Sequence, residues 1–284
     1  MNVYEEVTNR IIEIMEQGEV PWRKPWVSAG GAKNLVSKKP YRGINQFLLN
    51  CAPYGSPYWL TFKQASERGG KIRKGEKSTL VVFWKWIEPK DTDNQDGTTT
   101  KGKIPLLRYY RVFNLDQTEG ITPHPAERPT NPFTPIESAE QIISSVPLKP
   151  DIRYGGDRAY YSPHTDAVTL PPKEAFHSPE EFYATYYHEL SHATGHQKRL
   201  GRKGITETSY FGSHLYSQEE LVAELGASML CGVTGIEQQT IENSAAYIQG
   251  WLKVLRGDKK LLVHAAAQAQ RAADFILNGD PEDH

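Results

Sequence analysis

Val3, Val7, Ile11, Ile12 and Met15 recur three and four positions apart, with Glu5, Glu6, Glu13 and Glu16 between them. That spacing predicts an amphipathic helix at the start of the chain, and Gly18 is positioned to end it. Further on, Thr79 to Trp86 (TLVVFWKW) and Ile104 to Phe113 (IPLLRYYRVF) are rich in β-branched and aromatic residues. They flank a polar run from Lys90 to Lys103, which predicts an antiparallel pair joined by a long loop. A short helix is expected over 137–146, then strands over 158–162 and 167–170 joined by the turn-like PHTD. Ser178, Pro179 and Glu181 form an S-x-x-E helix start, and Ser217 with Glu220 repeats the signature ahead of LVAELGASML. Apolar residues at helical spacing continue over 240–255 and 259–277.

The expected class is α+β in two domains, an N-terminal α+β domain followed by a mainly helical domain with a small β-sheet. Five prolines fall between Ile121 and Pro135, where neither a helix nor a central strand can run. The expected division is therefore a domain over 1–125, a linker over 126–135 and a second domain over 136–284.

Charge sharpens this division. The net charge of the 284 residues is −1, yet residues 1–128 hold 20 Lys+Arg against 14 Asp+Glu, and residues 129–284 hold 13 against 20. Five of the six tryptophans lie in the basic half, and all nine histidines fall at or after His124. No apolar run approaches the roughly 20 residues of a membrane span, and the N-terminus lacks the pattern of a signal peptide. Cys51 and Cys231 are too far apart in sequence to suggest a disulfide framework. A cytoplasmic protein with no membrane partner is expected.

Within the helix after Ser178 stands His188-Glu189-Leu190-Ser191-His192. Spacing i, i+4 puts both imidazoles on one helical face, as two ligands of one ion require, and leaves Glu189 beside them as a general base. One zinc per chain is expected, with another divalent metal as the alternative. A catalytic zinc takes three protein ligands and keeps a position for water. His196 lies about 12 Å along a straight helix from His188, too far to share the ion. Glu220 and Glu224 on the next helix are the better candidates. Glu224 is favoured, because it sits among Leu221, Leu225 and Ser228 and because Glu220 is already accounted for by the Ser217 signature. Tyr210, His214 and Tyr216 are expected in the loop before that helix and are weaker candidates for stabilising an oxyanion.

The basic half interleaves cations with aromatics: Trp22, Arg23, Lys24 and Trp26 in PWRKPW, then Tyr41 and Arg42, then Lys71, Arg73, Lys74 and Lys77. Cations track phosphate and aromatic faces stack on unpaired bases. A solvated basic face or a protein-binding surface accounts for the same residues.

PWRKPW, YRGINQFLL, YWLTFKQA followed by GGKIRKGEKS, YRVFNLDQTEG, HELSHATGHQKRLGR and FGSHLYSQEELVAELGASML, in this order, resemble the ArdC-type antirestriction proteins of conjugative plasmids. The resemblance runs nearly end to end. It implies an N-terminal domain that binds single-stranded DNA, a C-terminal domain like a zincin metallopeptidase, and protection of incoming plasmid DNA from host restriction. It supports His188 and His192 as ligands and Glu189 as base, and leaves Glu220 and Glu224 undecided. A peptidase that cuts a restriction or DNA-bound protein, with DNA binding serving only to localise it, is the alternative.

Overall fold

A computed structural model describes residues 2–23, 31–87, 104–121, 135–207, 214–236 and 245–277. Helix α1 (Val3–Glu16) is capped by Asn2, whose side chain accepts from the Glu5 N–H while Glu5 returns the bond, and Gly18 follows with φ +88°. A positive φ costs glycine little, so the chain turns there as expected. The elements that follow are β1 (Lys33–Asn34), α2 (Ile44–Asn50), β2 (Tyr58–Leu60), α3 (Phe62–Glu67), β3 (Lys71–Ile72), β4 (Thr79–Ile87), β5 (Ile104–Asn114) and β6 (Thr118–Glu119). Strands β1, β2, β5 and β4 form one sheet in that order, with β4 and β5 antiparallel from Thr79↔Val112 to Ile87↔Ile104. Strands β3 and β6 make a separate antiparallel pair.

The second half contains α4 (Pro135–Ser145), β7 (Asp151–Tyr154), β8 (Tyr160–Ser162), β9 (Ala167–Leu170), α5 (Pro179–Ala193), α6 (Lys203–Thr206), α7 (His214–Thr234), α8 (Ala245–Gly257) and α9 (Leu261–Ile276). The three strands are ordered β7-β9-β8, with β7 parallel and β8 antiparallel to β9. Strand β7 was not expected, since Asp151 to Tyr154 has no buried residue and its hydrophobic pattern is too weak to announce it. Among the described residues no helix is long and apolar enough to cross a membrane.

The proline-rich segment lies mostly outside the described residues, as do the polar run before Lys103, Lys24, Trp26 and Tyr210, and the side chain of Arg23. On either side of that segment the two halves share one core. Val7, Ile11 and Met15 on α1 are fully buried in the same cluster as Leu262, Ala265 and Ala269 of α9. Polar contacts reinforce the join: Thr8 Oγ1 donates to the Lys259 carbonyl at 2.7 Å, and the Gly43 N–H donates to Gln270 Oε1 at 2.8 Å.

Trp22 belongs to this core. Its ring is 1% exposed, meets Trp251 edge-on, and donates its N–H to the Tyr247 hydroxyl at 3.3 Å. Such a ring offers no face to a base, so the expectation that Trp22 contacts nucleic acid is corrected. Packing against α8, invisible in the local PWRKPW pattern, claims it.

Candidate metal centre

Helix α5 starts as expected: Ser178 accepts from the Glu181 N–H and Pro179 occupies the first turn. Helix α7 does not. It begins at His214, so Ser217 lies inside the helix rather than capping it, and Glu220 is released from the role the S-x-x-E spacing gave it.

The two helices approach closely at one point. A Cβ on Gly226 of α7 would stand 2.7 Å from Ser191 Oγ of α5, so glycine is what permits the contact. About two turns earlier on α7, Glu219 and Glu220 face the imidazoles of α5.

His188 Nε2 and His192 Nε2 are 3.2 Å apart, and the Glu220 carboxylate oxygens stand 3.8 and 3.7 Å from them. One ligand atom from each of these three residues lies within 4.8 Å of the other two. Two nitrogens bound to one tetrahedral zinc at about 2.0–2.1 Å would stand roughly 3.3–3.4 Å apart. The donor set fits a single divalent ion.

Glu224, favoured on sequence, is not in this group. It lies about 6 Å further along α7, and its carboxylate accepts from the Tyr247 hydroxyl at 2.9 Å. Its place among apolar residues is explained by that partner rather than by a ligand role. His196 is also elsewhere, its Nδ1 3.7 Å from Asp166. His214 turns to Asp258 at 2.9 Å.

Sequence reasoning missed Glu219 and Arg202. Glu219 Oε1 is 3.4 Å from His192 Nδ1, and the same carboxylate takes two hydrogen bonds from the Arg202 guanidinium, at 2.6 and 3.0 Å. Arg202 also donates to Thr194 Oγ1 and to the Ser191 carbonyl, each at 2.6 Å. It enters beneath the helix end because Gly195 has no side chain: a Cβ there would meet Arg202 at 2.9 Å. Both charged residues are buried. A signal was present in the spacing, since Glu219 shares a helical face with Val222, Ala223 and Gly226. A carboxylate on Nδ1 fixes the tautomer that frees Nε2 for an ion.

Electrostatics support the same point. Burial disfavours a charged His192, but the hydrogen bond and charge of Glu219, with Glu220 and Glu189 nearby, outweigh it and raise its pKa. Glu220 stands on the Nε2 side of both rings, and Glu219 on the Nδ1 side of His192. Glu189 is 7% exposed, and burial first, then the charge of Glu220, raises its pKa despite His192 and the Tyr161 backbone N–H, which donates to it. A raised carboxyl pKa suits a group that takes and returns a proton near neutrality. Tyr216 donates to Glu220, and its own pKa is raised by burial and by that carboxylate.

The expected nucleic-acid residues that fall within the described segments are scattered. Lys71 pairs with Glu119 at 3.1 Å and Arg73 with Glu76 at 3.0 Å, while Lys74 and Lys77 have no ion-pair partner among the described residues. Arg42 pairs with Asp274 of α9. Tyr41 lines a cleft of about 480 Å³ beside β4 and β5.

The fold and the paired histidine helix define a two-part protein whose C-terminal portion is a zincin-like metallopeptidase domain, matched as such over residues 137–268. Residues 1–113 match the N-terminal domain of anti-restriction factor ArdC. The chain is 37% identical to the antirestriction protein ArdC of plasmid R388, whose metal-free crystal structure superposes with a TM-score of 0.76 over 99% of this chain and 100% of that one. An Mn(II)-bound structure of the same ArdC gives the same score and identity over 98% of each chain. The chain is also 36% identical to protein y4eC of Sinorhizobium fredii, over 97% of this chain and 91% of that protein. It therefore belongs to the ArdC antirestriction family. The DNA primase TraC of Escherichia coli is 36% identical over 96% of this chain, which spans only 27% of the primase.

Proposed function

We propose that this protein binds single-stranded DNA through its N-terminal half, holds one divalent metal, zinc, on His188, His192 and Glu220, and protects incoming DNA from restriction. The observation that carries the metal assignment is the convergence of those three side chains within 4.8 Å, with Glu189 buried at their side. The relative solved with Mn(II) supports a divalent ion. The basic N-terminal half and its match to the ArdC N-terminal domain support the DNA reading.

Bound there, a divalent metal acidifies a water and polarises a carbonyl. Glu189 takes the proton of the attacking water and returns it to the leaving amine. The Tyr161 N–H holds the Glu189 carboxylate in place, and Glu219 holds the His192 ring. Strand β8 is an edge strand of its sheet, the kind of element along which an extended peptide can lie.

Three variants test the assignment by metal content, hydrolysis of a protein substrate, and recovery of unmodified plasmid in a restricting host. Glu189→Ala retains metal and loses hydrolysis; Glu220→Ala loses metal; Glu224→Ala keeps it. Stoichiometric metal in Glu220→Ala, or an empty site in Glu224→Ala, would overturn the ligand set.

A further inference from the structure

The face of the β4–β5 ribbon that carries Val81, Phe83, Tyr110 and Val112 opens on the cleft of about 480 Å³. This volume is in the range of small-ligand sites, about 300–1,000 Å³. Its floor is apolar and fixed, since Val81 is 4% and Val112 1% exposed. Above the floor, Phe83 and Tyr110 stack with centroids 4.5 Å apart and planes 8° from parallel. Tyr110 remains 56% exposed, so this aromatic pair is not core.

The opposite wall is polar and oriented. Gln64 Oε1 accepts from the Thr61 N–H at 2.9 Å and from Asn34 Nδ2 at 3.3 Å, which fixes the amide and leaves Nε2 as a donor with no partner among the described residues. The Tyr41 hydroxyl accepts from Asn34 at 3.4 Å, leaving its proton to donate. Arg108 lies directly across from Phe83 in the strand register, exposed and without an ion-pair partner among the described residues. An exposed π-face, two donors in the lining of a cleft with an apolar floor, and an adjacent cation complement a flat ring with carbonyl oxygens and a phosphate beside it.

We propose that this cleft holds one unpaired base of a DNA single strand, stacked against Tyr110, with Gln64 and Tyr41 donating to its carbonyl oxygens and Arg108 meeting the neighbouring phosphate. The inference rests on the single-stranded DNA reading above and locates it. Paired bases have no free face, so the cleft selects single strands over duplex.

The test measures fluorescence anisotropy of the full-length protein with a labelled oligo(dT) 12-mer and with an abasic 12-mer that keeps the phosphates. Tyr110→Ala weakens oligo(dT) binding by about fivefold to a hundredfold, the range for loss of one stacked base. Tyr110→Leu, which keeps apolar bulk on the ribbon but has no π-face, acts alike. Tyr109→Ala, on the other face of the sheet, leaves affinity within about twofold. The abasic strand binds wild type and both Tyr110 variants equally. Oligo(dT) binding unchanged in both Tyr110 variants overturns the cleft as the base site, and so does an equal loss on the abasic strand. A wild type that binds neither strand defeats the DNA reading itself.

Discussion

Glu219→Ala separates two roles that one carboxylate plays. In the structure Glu219 and Arg202 are 5% and 7% exposed, and their two hydrogen bonds join oppositely charged groups away from water. Removing the carboxylate leaves a buried guanidinium uncompensated, a loss of about 3–5 kcal/mol in comparable pairs. Arg202 keeps its bonds to Thr194 and Ser191, so the lower end applies. At 2–4 °C per kcal/mol for a chain near this size, the metal-free protein should melt roughly 6–12 °C lower. The same substitution frees the His192 ring and should weaken metal binding by about 10- to 100-fold. A second variant distinguishes the effects. Glu219→Ala with Arg202→Met removes both buried charges, so stability recovers while metal affinity stays low. Thermal unfolding by circular dichroism and competition with a chromophoric chelator read the two quantities. If Glu219→Ala melts within about 2 °C of wild type, or if the double variant restores metal affinity as well, the reasoning fails.

Two further outcomes follow from buried contacts. Trp22→Ala should cost about 3–5 kcal/mol of stability in urea unfolding, as large-to-small core substitutions do, while the folded variant keeps its affinity for single strands; a drop in strand affinity at unchanged stability would return Trp22 to the binding surface. Acid should destabilise the protein below about pH 4, because Glu140 and Asp166 have lowered pKa values. For Glu140 the causes are hydrogen bonds from Lys173 and Tyr183; for Asp166, burial works the other way but hydrogen bonds from Arg199 and Tyr161 prevail. Carboxyls depressed by folding contribute stability above their ordinary range, and it disappears as pH falls through their folded values. Asp166→Asn should flatten that fall below about pH 4, and an unchanged acid slope would count against the contribution.

What could be read from residues alone tracks how local the determining physics is. The helix with both histidines, the β4–β5 pair and the opening helix are written in periodicity and caps, and the structure has all of them. Glu220, the third ligand proposed above, was passed over on a local rule. Ser217 and Glu220 have the spacing of a capping box, yet the helix starts a turn earlier, and only the start of α7 decides whether Glu220 caps or faces the histidines. Glu219 escaped notice because two adjacent glutamates resemble solvated surface; burial beside Arg202 is a tertiary fact. Trp22 was misplaced for the same reason, its partners Tyr247 and Trp251 lying more than 200 positions away.

The shared core also bears on how such proteins can be rearranged. Val7, Ile11 and Met15 are fully buried in one cluster with α9, and each represents about 1.5–3 kcal/mol of apolar burial. A recombination joint within the proline-rich segment would leave those side chains in water on one product and bare the face of α8 and α9 on the other. The unit that can be transplanted intact is therefore the whole pair of halves. In TraC the similarity extends across 96% of this chain in one stretch of a much longer enzyme, which is the form of inheritance that an indivisible core permits.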